Sequence, residues 1–383
     1  MKKVLIWLLT LVLCLSALSV PGVDTIADAV RPMSGDINSD GKVNTRDLGV
    51  LQQHLNGWEV TILSAAADVT GDGKVNVRDL GRLQQYLNGW DVTLAPIEPQ
   101  NPIRVLSIGH SFSVDAMRAY LWPLLSEAGY DYIVLGYLFY PSCSLNEQWD
   151  RMQGNADHRL YCKTDPYTGE WSNHYPPDNR NQVQYAIQDE AWDVITNQPD
   201  PDYGGGPEYW PGVANDYKNV GNIVNWIHQH KTNPDGKLYY HLTWSFATDC
   251  ALWCFGPASP FKGDQLLHYR SFVDAAQKYV LTPYGDRFAG VIPAGTAIQN
   301  ARSSYLGDTF NVPGNNDPIN GDGYHLNDRG DYLAALTWYT TLTGRSAATA
   351  WCPEEYADIF SVLAEAADNA ATTPFNVTES AFQ

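Results

Sequence analysis

Cysteine is scarce in this chain: 383 residues hold six, and one of them, Cys14, lies in an apolar N-terminal run. So low a content excludes a small scaffold built on disulfides. Basic charge is short as well. Lysine and arginine number 24 against 43 aspartates and glutamates, for a formal charge of −19. A nucleic-acid partner is excluded, because phosphate binding needs a basic face. Beyond the N-terminal run no apolar stretch approaches the ~20 residues that span a bilayer, so no membrane partner is expected.

What is present points to export. The chain opens MKKVLIWLLTLVLCLSALSV, in which Lys2 and Lys3 precede an apolar run over 4–18. These are the charged and apolar regions of a secretory signal peptide. Ala27-Asp28-Ala29 offers a cleavage site, with 17–19 as the alternative. Residues 1–29 therefore read as a leader, and the mature protein as secreted and extracellular. Cys143, Cys162, Cys250, Cys254 and Cys352 follow it, an odd number that leaves one unpaired. CALWC at 250–254 permits a small disulfide loop, and no second pair stands at zinc spacing. Aromatics make up 12% of the chain, a supply of ring faces for sugars or for a core.

Residues 35–60 and 67–92 repeat one another. Each copy begins with an oxygen-rich loop and runs into DLGxLQQxLNGW. Leu48, Leu51 and Leu55 share one helix face in the first copy, and Leu80, Leu83 and Leu87 in the second. In the first loop Asp36, Asn38, Asp40, Asn44 and Asp47 take positions 1, 3, 5, 9 and 12 of a calcium loop, with Gly41 where the chain must turn. Asp68, Thr70, Asp72, Asn76 and Asp79 repeat the pattern. Hard oxygen donors at alternate positions wrap one Ca2+. A threonine is a weaker ligand than Asn or Asp, so the second site is expected to be looser.

Two such loop–helix units, with Asp in the twelfth place, resemble a type I dockerin over 34–93: a small all-α module with two structural Ca2+ ions. The resemblance implies a cohesin module of a scaffold protein as partner, within a cellulosome. Thr45-Arg46 and Val77-Arg78 stand where that family keeps its recognition pairs, and they differ between the copies. The proline-bearing stretch 94–102 reads as a linker.

From Ile103 strand-like and helix-like segments alternate, which predicts a parallel sheet with helices on both faces. Function collects at the carboxyl ends of the strands in such sheets. Ser111 lies at the end of the first, in RVLSIGHSFSVDAM, where it suits either a helix cap or a nucleophile. A nucleophile needs a base. NGDGYHLNDRGDYLAALTWY near the C-terminus supplies Asp322 and His325, three residues apart. The carboxylate there reaches imidazole Nδ1–H and frees Nε2 to take a serine proton.

GHSFS at 109–113, PSCSL at 141–145, WDVITNQ at 192–198, IPAGTAIQNAR at 292–302 and DGYHLNDRGDYLAAL at 322–336 resemble the SGNH (GDSL-like) hydrolases, and more narrowly their DUF4886 branch. The resemblance spans about 103–345. It implies a three-layer α/β/α, flavodoxin-like domain with a parallel sheet, read here over 103–383. It also implies Ser111 as nucleophile, His325 as base and Asp322 as the acid that orients it. The oxyanion donors it implies are the Ser111 N–H, a backbone N–H at or near Ser142, and a side-chain amide, Gln198 or Asn197. The implied activity is a serine carboxylic-ester hydrolase that removes O-acetyl or other acyl groups from plant cell-wall polysaccharide, with no metal in the chemistry.

The chain also departs from the branch. His110 replaces an Asn, and Pro141-Ser142 replaces a glycine pair, where Pro has no N–H to give. A catalytically weak or inactive carbohydrate-binding or assembly component is the rival expectation. Trp244, Trp253, Tyr209 and Trp210 are candidate cleft walls, and Arg302 suits either an acid group or a loop anchor.

Overall fold

The computed structural model describes residues 33–154, 156–174, 181–198, 208–209, 217–250, 259–314 and 322–383. The expected leader, Trp210, Trp253 and Cys254 lie outside them. The described chain divides into two compact units, a small one of residues 33–102 with Asp165–Glu170, and a large one of the other residues from Ile103 onward.

In the small unit the two repeats form helices α1 (Thr45–Leu55) and α2 (Val77–Leu87). Asn44 and Asn76 cap them, and the Asp three residues on returns a carboxylate to the cap's own N–H. Both ends of that capping box satisfy amides that a helix start leaves without partners. Leu51 and Leu83 meet Ile37, Ala67 and Val69 in a small core. Leu94, expected in the linker, packs against the same core.

In the large unit seven strands make one sheet in the order β4-β3-β2-β1-β5-β6-β7. They are β1 (Pro102–Gly109), β2 (Tyr132–Phe139), β3 (Leu160–Thr164), β4 (Trp171–His174), β5 (Val194–Asn197), β6 (Lys237–His241) and β7 (Gly290–Ile292). β1 pairs with β5, β5 with β6 and β6 with β7 in parallel, whereas β2–β3 and β3–β4 are antiparallel. The central sheet is mostly parallel, as expected, and the expectation is corrected only at one edge, which an antiparallel pair extends. Without that pair the order is 2-1-3-4-5, a doubly wound arrangement.

Alternation along the central strands sends side chains to two cores. Ile103 and Val105 of β1 join Ile133 and Leu135 of β2 on one face, and Leu106 and Ile108 join Val134 and Leu138 on the other. The first core takes helices α3 (Ser111–Met117), α4 (Leu121–Glu127), α9 (Ala294–Arg302), α10 (Asp328–Thr343) and α11 (Phe360–Thr372). The second takes α5 (Leu145–Gly154), α6 (Val183–Asp189), α7 (Val220–His230) and α8 (Gln265–Ala275). No helix of the described residues is long and apolar enough to cross a membrane.

Candidate functional site

β1 ends at Gly109 and α3 begins at Ser111. His110 between them is the helix cap, its Nδ1 accepting the Phe112 N–H at 3.4 Å. The structural role open to Ser111 is thus taken by its neighbour. Ser111 is half-buried at the first helical position, and among the described residues its hydroxyl has no hydrogen-bond partner.

His325 arrives from the far end of the chain. Asp322 Oδ1 accepts the N–H groups of Tyr324 at 2.9 Å and His325 at 3.0 Å, and Oδ2 faces His325 Nδ1 at 2.6 Å. Burial pushes the Asp322 carboxyl up, but His325 and the two N–H groups outweigh it and hold the group below the usual carboxylate range. Gly323 has φ 75°, and a Cβ there would lie 2.7 Å from the Cys250 backbone, so this turn accepts only glycine. The imidazole meets the Phe112 ring edge-on at 5.8 Å, and Asp115 Oδ2 accepts the Leu326 N–H at 3.2 Å. These contacts set the turn against α3, so Ser111, Asp322 and His325 share one region. His158, His241 and His268, by contrast, are buried and pushed down to about 3 by that burial, as neutral core residues.

Gln198 follows β5. Its Oε1 accepts the Ser113 hydroxyl and, at 3.5 Å, the His110 N–H. Ser113 in turn accepts from Ser107 at 2.7 Å, and Ser107 from Thr196 at 2.9 Å. A backbone N–H can only donate, so the atom facing His110 is the oxygen. The nitrogen Nε2 is then buried without a partner, an arrangement that costs on the order of 1–3 kcal/mol. Gly109 makes the room, since a Cβ there would stand 2.5 Å from Gln198 Oε1. The alternative amide is committed elsewhere: Asn197 Nδ2 donates to Gln148 Oε1 at 2.6 Å, and Gln148 Nε2 to the Gln198 carbonyl at 2.7 Å.

Ser142 is exposed, with φ 44°, in the left-handed region that favours glycine. Tyr140 N donates to Gly109 O at 3.1 Å and ties this turn to the end of β1.

Arg302 is an anchor. Its Nε meets Asp308 at 2.9 Å, Nη1 meets Gln299 at 3.2 Å, and Nη2 meets the Ser245 carbonyl at 3.0 Å and Asn311 at 2.6 Å. Asn311 passes the tie on to the Tyr324 carbonyl at 3.1 Å. Trp244 is no cleft wall: it is fully buried, stacked on Phe112 at 4.3 Å, with Nε1 on the Tyr324 carbonyl. Tyr209 gives its hydroxyl to Asp274 and stacks on Phe261. Sequence reading missed Ser113, Gln148 and Asp115. Only Asp115 left a signal, a lone charge one helical turn beyond Ser111.

In the calcium-type loops Asp36 accepts the N–H groups of Asp40 and Gly41, and Asp68 those of Gly71, Asp72 and Gly73. Among the described residues no three His, Cys, Asp or Glu side chains converge as a metal cage. The donor chemistry still fits a hard cation, because an ionised carboxylate has about four lone-pair sites and these bonds leave some over.

Three comparisons place the chain. Residues 104–373 match a family described as a domain of unknown function, DUF4886. Residues 34–88 match the type I dockerin domain. The crystal structure of a DUF4886 family protein from Bacteroides uniformis ATCC 8492 is 32% identical, with a TM-score of 0.61, covering 73% of this chain and 98% of that one. No curated protein matches the chain. Type I dockerins bind Ca2+ and dock on cohesin modules of scaffold proteins, which ties the chain to extracellular, cellulosomal assembly. Through residues 104–373, joined to a type I dockerin, the chain belongs to the DUF4886 family.

Proposed function

We propose that the large unit is an SGNH-type serine esterase that removes O-acetyl or other acyl groups from plant cell-wall polysaccharide, held near its substrate by the dockerin. The observation that carries this reading is the 2.6 Å Asp322–His325 bond, on a turn packed against the helix that opens with Ser111, whose hydroxyl has no structural duty among the described residues. Asp322 keeps the Nδ1 proton in place, so Nε2 accepts the Ser111 proton as Oγ attacks the ester carbonyl. The tetrahedral oxyanion takes hydrogen bonds from the Ser111 N–H, a backbone N–H at Ser142, and Gln198 Nε2. His325 then protonates the leaving sugar alkoxide, and water clears the acyl-enzyme by the same route.

The test is a fluorophosphonate probe on the full chain, with the labelled peptide mapped by mass spectrometry and hydrolysis of acetylated xylan measured alongside. Label on Ser111 with xylan turnover supports the reading, and label elsewhere or none overturns it. Gln198→Leu is expected to cost about 10²–10³-fold in kcat with KM little moved, the usual loss for one oxyanion donor. An unchanged kcat in a folded variant would remove Gln198 from the mechanism.

Pro141, which lacks an N–H, and Ser142 in a glycine-favouring conformation support the second reading, a binding component with lost activity. That reading expects the parent to bind acetylated xylan without turnover.

In the dockerin Asp36, Asn38, Asp40, Asn44 and Asp47 would hold one Ca2+, and Asp68, Thr70, Asp72, Asn76 and Asp79 a second. Thr70 Oγ1 already donates to Asp79 at 2.7 Å. Calorimetric titration of chelator-stripped protein should therefore show two affinities, the weaker one raised by Thr70→Asn. Two equal affinities, or no response to Thr70→Asn, would contradict this assignment.

A further inference from the structure

Gln198 is held at its backbone and at its side chain by different parts of the fold. Its N–H reaches the Ile108 carbonyl at 3.3 Å, and its own carbonyl accepts from Gln148 Nε2 at 2.7 Å. The side chain is left to a relay of hydroxyls. Thr196 of β5 stands opposite Ser107 of β1 in the parallel register. Thr196 Oγ1 donates to Ser107 at 2.9 Å, Ser107 to Ser113 at 2.7 Å, and Ser113 to Gln198 Oε1. The relay leaves β5, crosses β1, enters the first turn of α3 and returns to the chain two residues beyond its start. Thr196, Ser107, Ser113 and Gln198 are all buried.

Packing does not require such a chain. A buried hydroxyl is unfavourable until it is paired, whereas an alanine in its place has nothing to pair. Three paired hydroxyls that end on an amide whose nitrogen has no partner are less favourable than an apolar core. What the chain supplies is polarity. Each hydroxyl has one proton to give, and each gives it forward, so the last one meets Oε1. The other donor on Oε1 is the His110 N–H at 3.5 Å, beyond the usual range of such bonds. The Ser113 hydroxyl is therefore the stronger hold. An amide turned over would set its NH2 against the His110 N–H. Ser113 could accept from that NH2 only if its own proton and those of Ser107 and Thr196 all reversed.

We propose that Ser113 is a positioning residue for the oxyanion site: backed by Ser107 and Thr196, it holds Gln198 Oε1 and so keeps Nε2 turned to the oxyanion. Gly109 leaves the room for this contact, since a Cβ there would stand 2.9 Å from Ser113 Oγ and 2.5 Å from Gln198 Oε1. Ser113 acts through the amide and not on the substrate, and its role rests on the esterase reading. A donor fixed in advance needs no reorganisation when charge develops on the substrate oxygen. Without the Ser113 hydroxyl the amide is free to turn over. The fraction that does so presents an oxygen to the oxyanion, where a donor is needed.

The test is a double-mutant cycle on the full chain, with kcat and KM measured on an acetyl aryl ester and on acetylated xylan. Ser113→Ala is expected to lower kcat about tenfold on both substrates with KM little moved, because the oxyanion is common to both. In a Gln198→Leu background the same change should lower kcat by less than about twofold. Ser107→Ala, one link back, should lower kcat about threefold, again only where Gln198 is present, and it decides the matter if Ser113→Ala does not fold. A loss of the same size with and without Gln198 means that Ser113 acts by another route, and overturns the proposal. So does an unchanged kcat in the folded Ser113→Ala variant. Either result leaves the esterase reading standing. A parent with no turnover and no fluorophosphonate label on Ser111 overturns that reading and this proposal together.

Discussion

Ser111→Ala is expected to reduce hydrolysis of acetylated xylan, and of an acetyl aryl ester, by about 10⁴-fold or more, with binding of the polysaccharide kept. The size follows from the mechanism. Without Oγ there is no acyl-enzyme, and what remains is the oxyanion donors acting on a water. Stability should move by less than about 0.5 kcal/mol, because the variant removes no buried contact and no cap. His110 is the residue that caps α3. Kinetics and a thermal melt on the same preparation separate the two effects. Turnover that survives in the folded variant sinks the nucleophile assignment.

Asp322→Asn is expected to lower kcat by about 10⁴-fold while the fold holds. The three bonds of Asp322 dictate why. The N–H groups of Tyr324 and His325 both point at Oδ1. An asparagine satisfies them with its oxygen there, which puts its NH2 group where Oδ2 faced His325 Nδ1. Nδ1 must then accept, so the ring proton moves to Nε2, the atom that should receive the serine proton. The variant thus keeps its hydrogen bonds and holds the imidazole in the wrong tautomer. A pH–rate profile with a merely shifted acid limb and an intact plateau would contradict this account. The parent carries a related pH signature. The Asp322 carboxyl is depressed in the fold, so its stabilising contribution is present above the ordinary carboxylate range and is lost as pH falls through the folded value.

Much of this arrangement could be read before any coordinates. Strands β1, β2 and β5 announce themselves as short apolar runs, and α10 by its length, its Asn327 cap and Gly344 at its end. Asp322 and His325 are close in sequence, so their contact follows from local geometry. The antiparallel pair β3–β4 did not show. LYCKT and WSNH are short and carry no strong alternation, and an edge is specified by the strand it pairs with more than by its own pattern. Helix α11 escaped because its buried face is largely alanine, which gives little contrast. The engagement of the Asn197 amide by Gln148, a partner some fifty positions away, did not show either, since no local pattern reports such a pairing.

Arg302 carries a consequence for motion. One guanidinium holds Ser245, Asp308 and Asn311, and Asn311 holds Tyr324. The segment that bears His325 therefore cannot lift alone, since doing so would strip partners from a buried cation. Its amides should exchange with solvent as one cooperative block: Val312 on the His325 carbonyl, Asn327 on Phe310, and Ala247 on Gly323. An imidazole that frays only together with two neighbouring loops is kept in register by the largest opening the region can undergo, and not by the smallest.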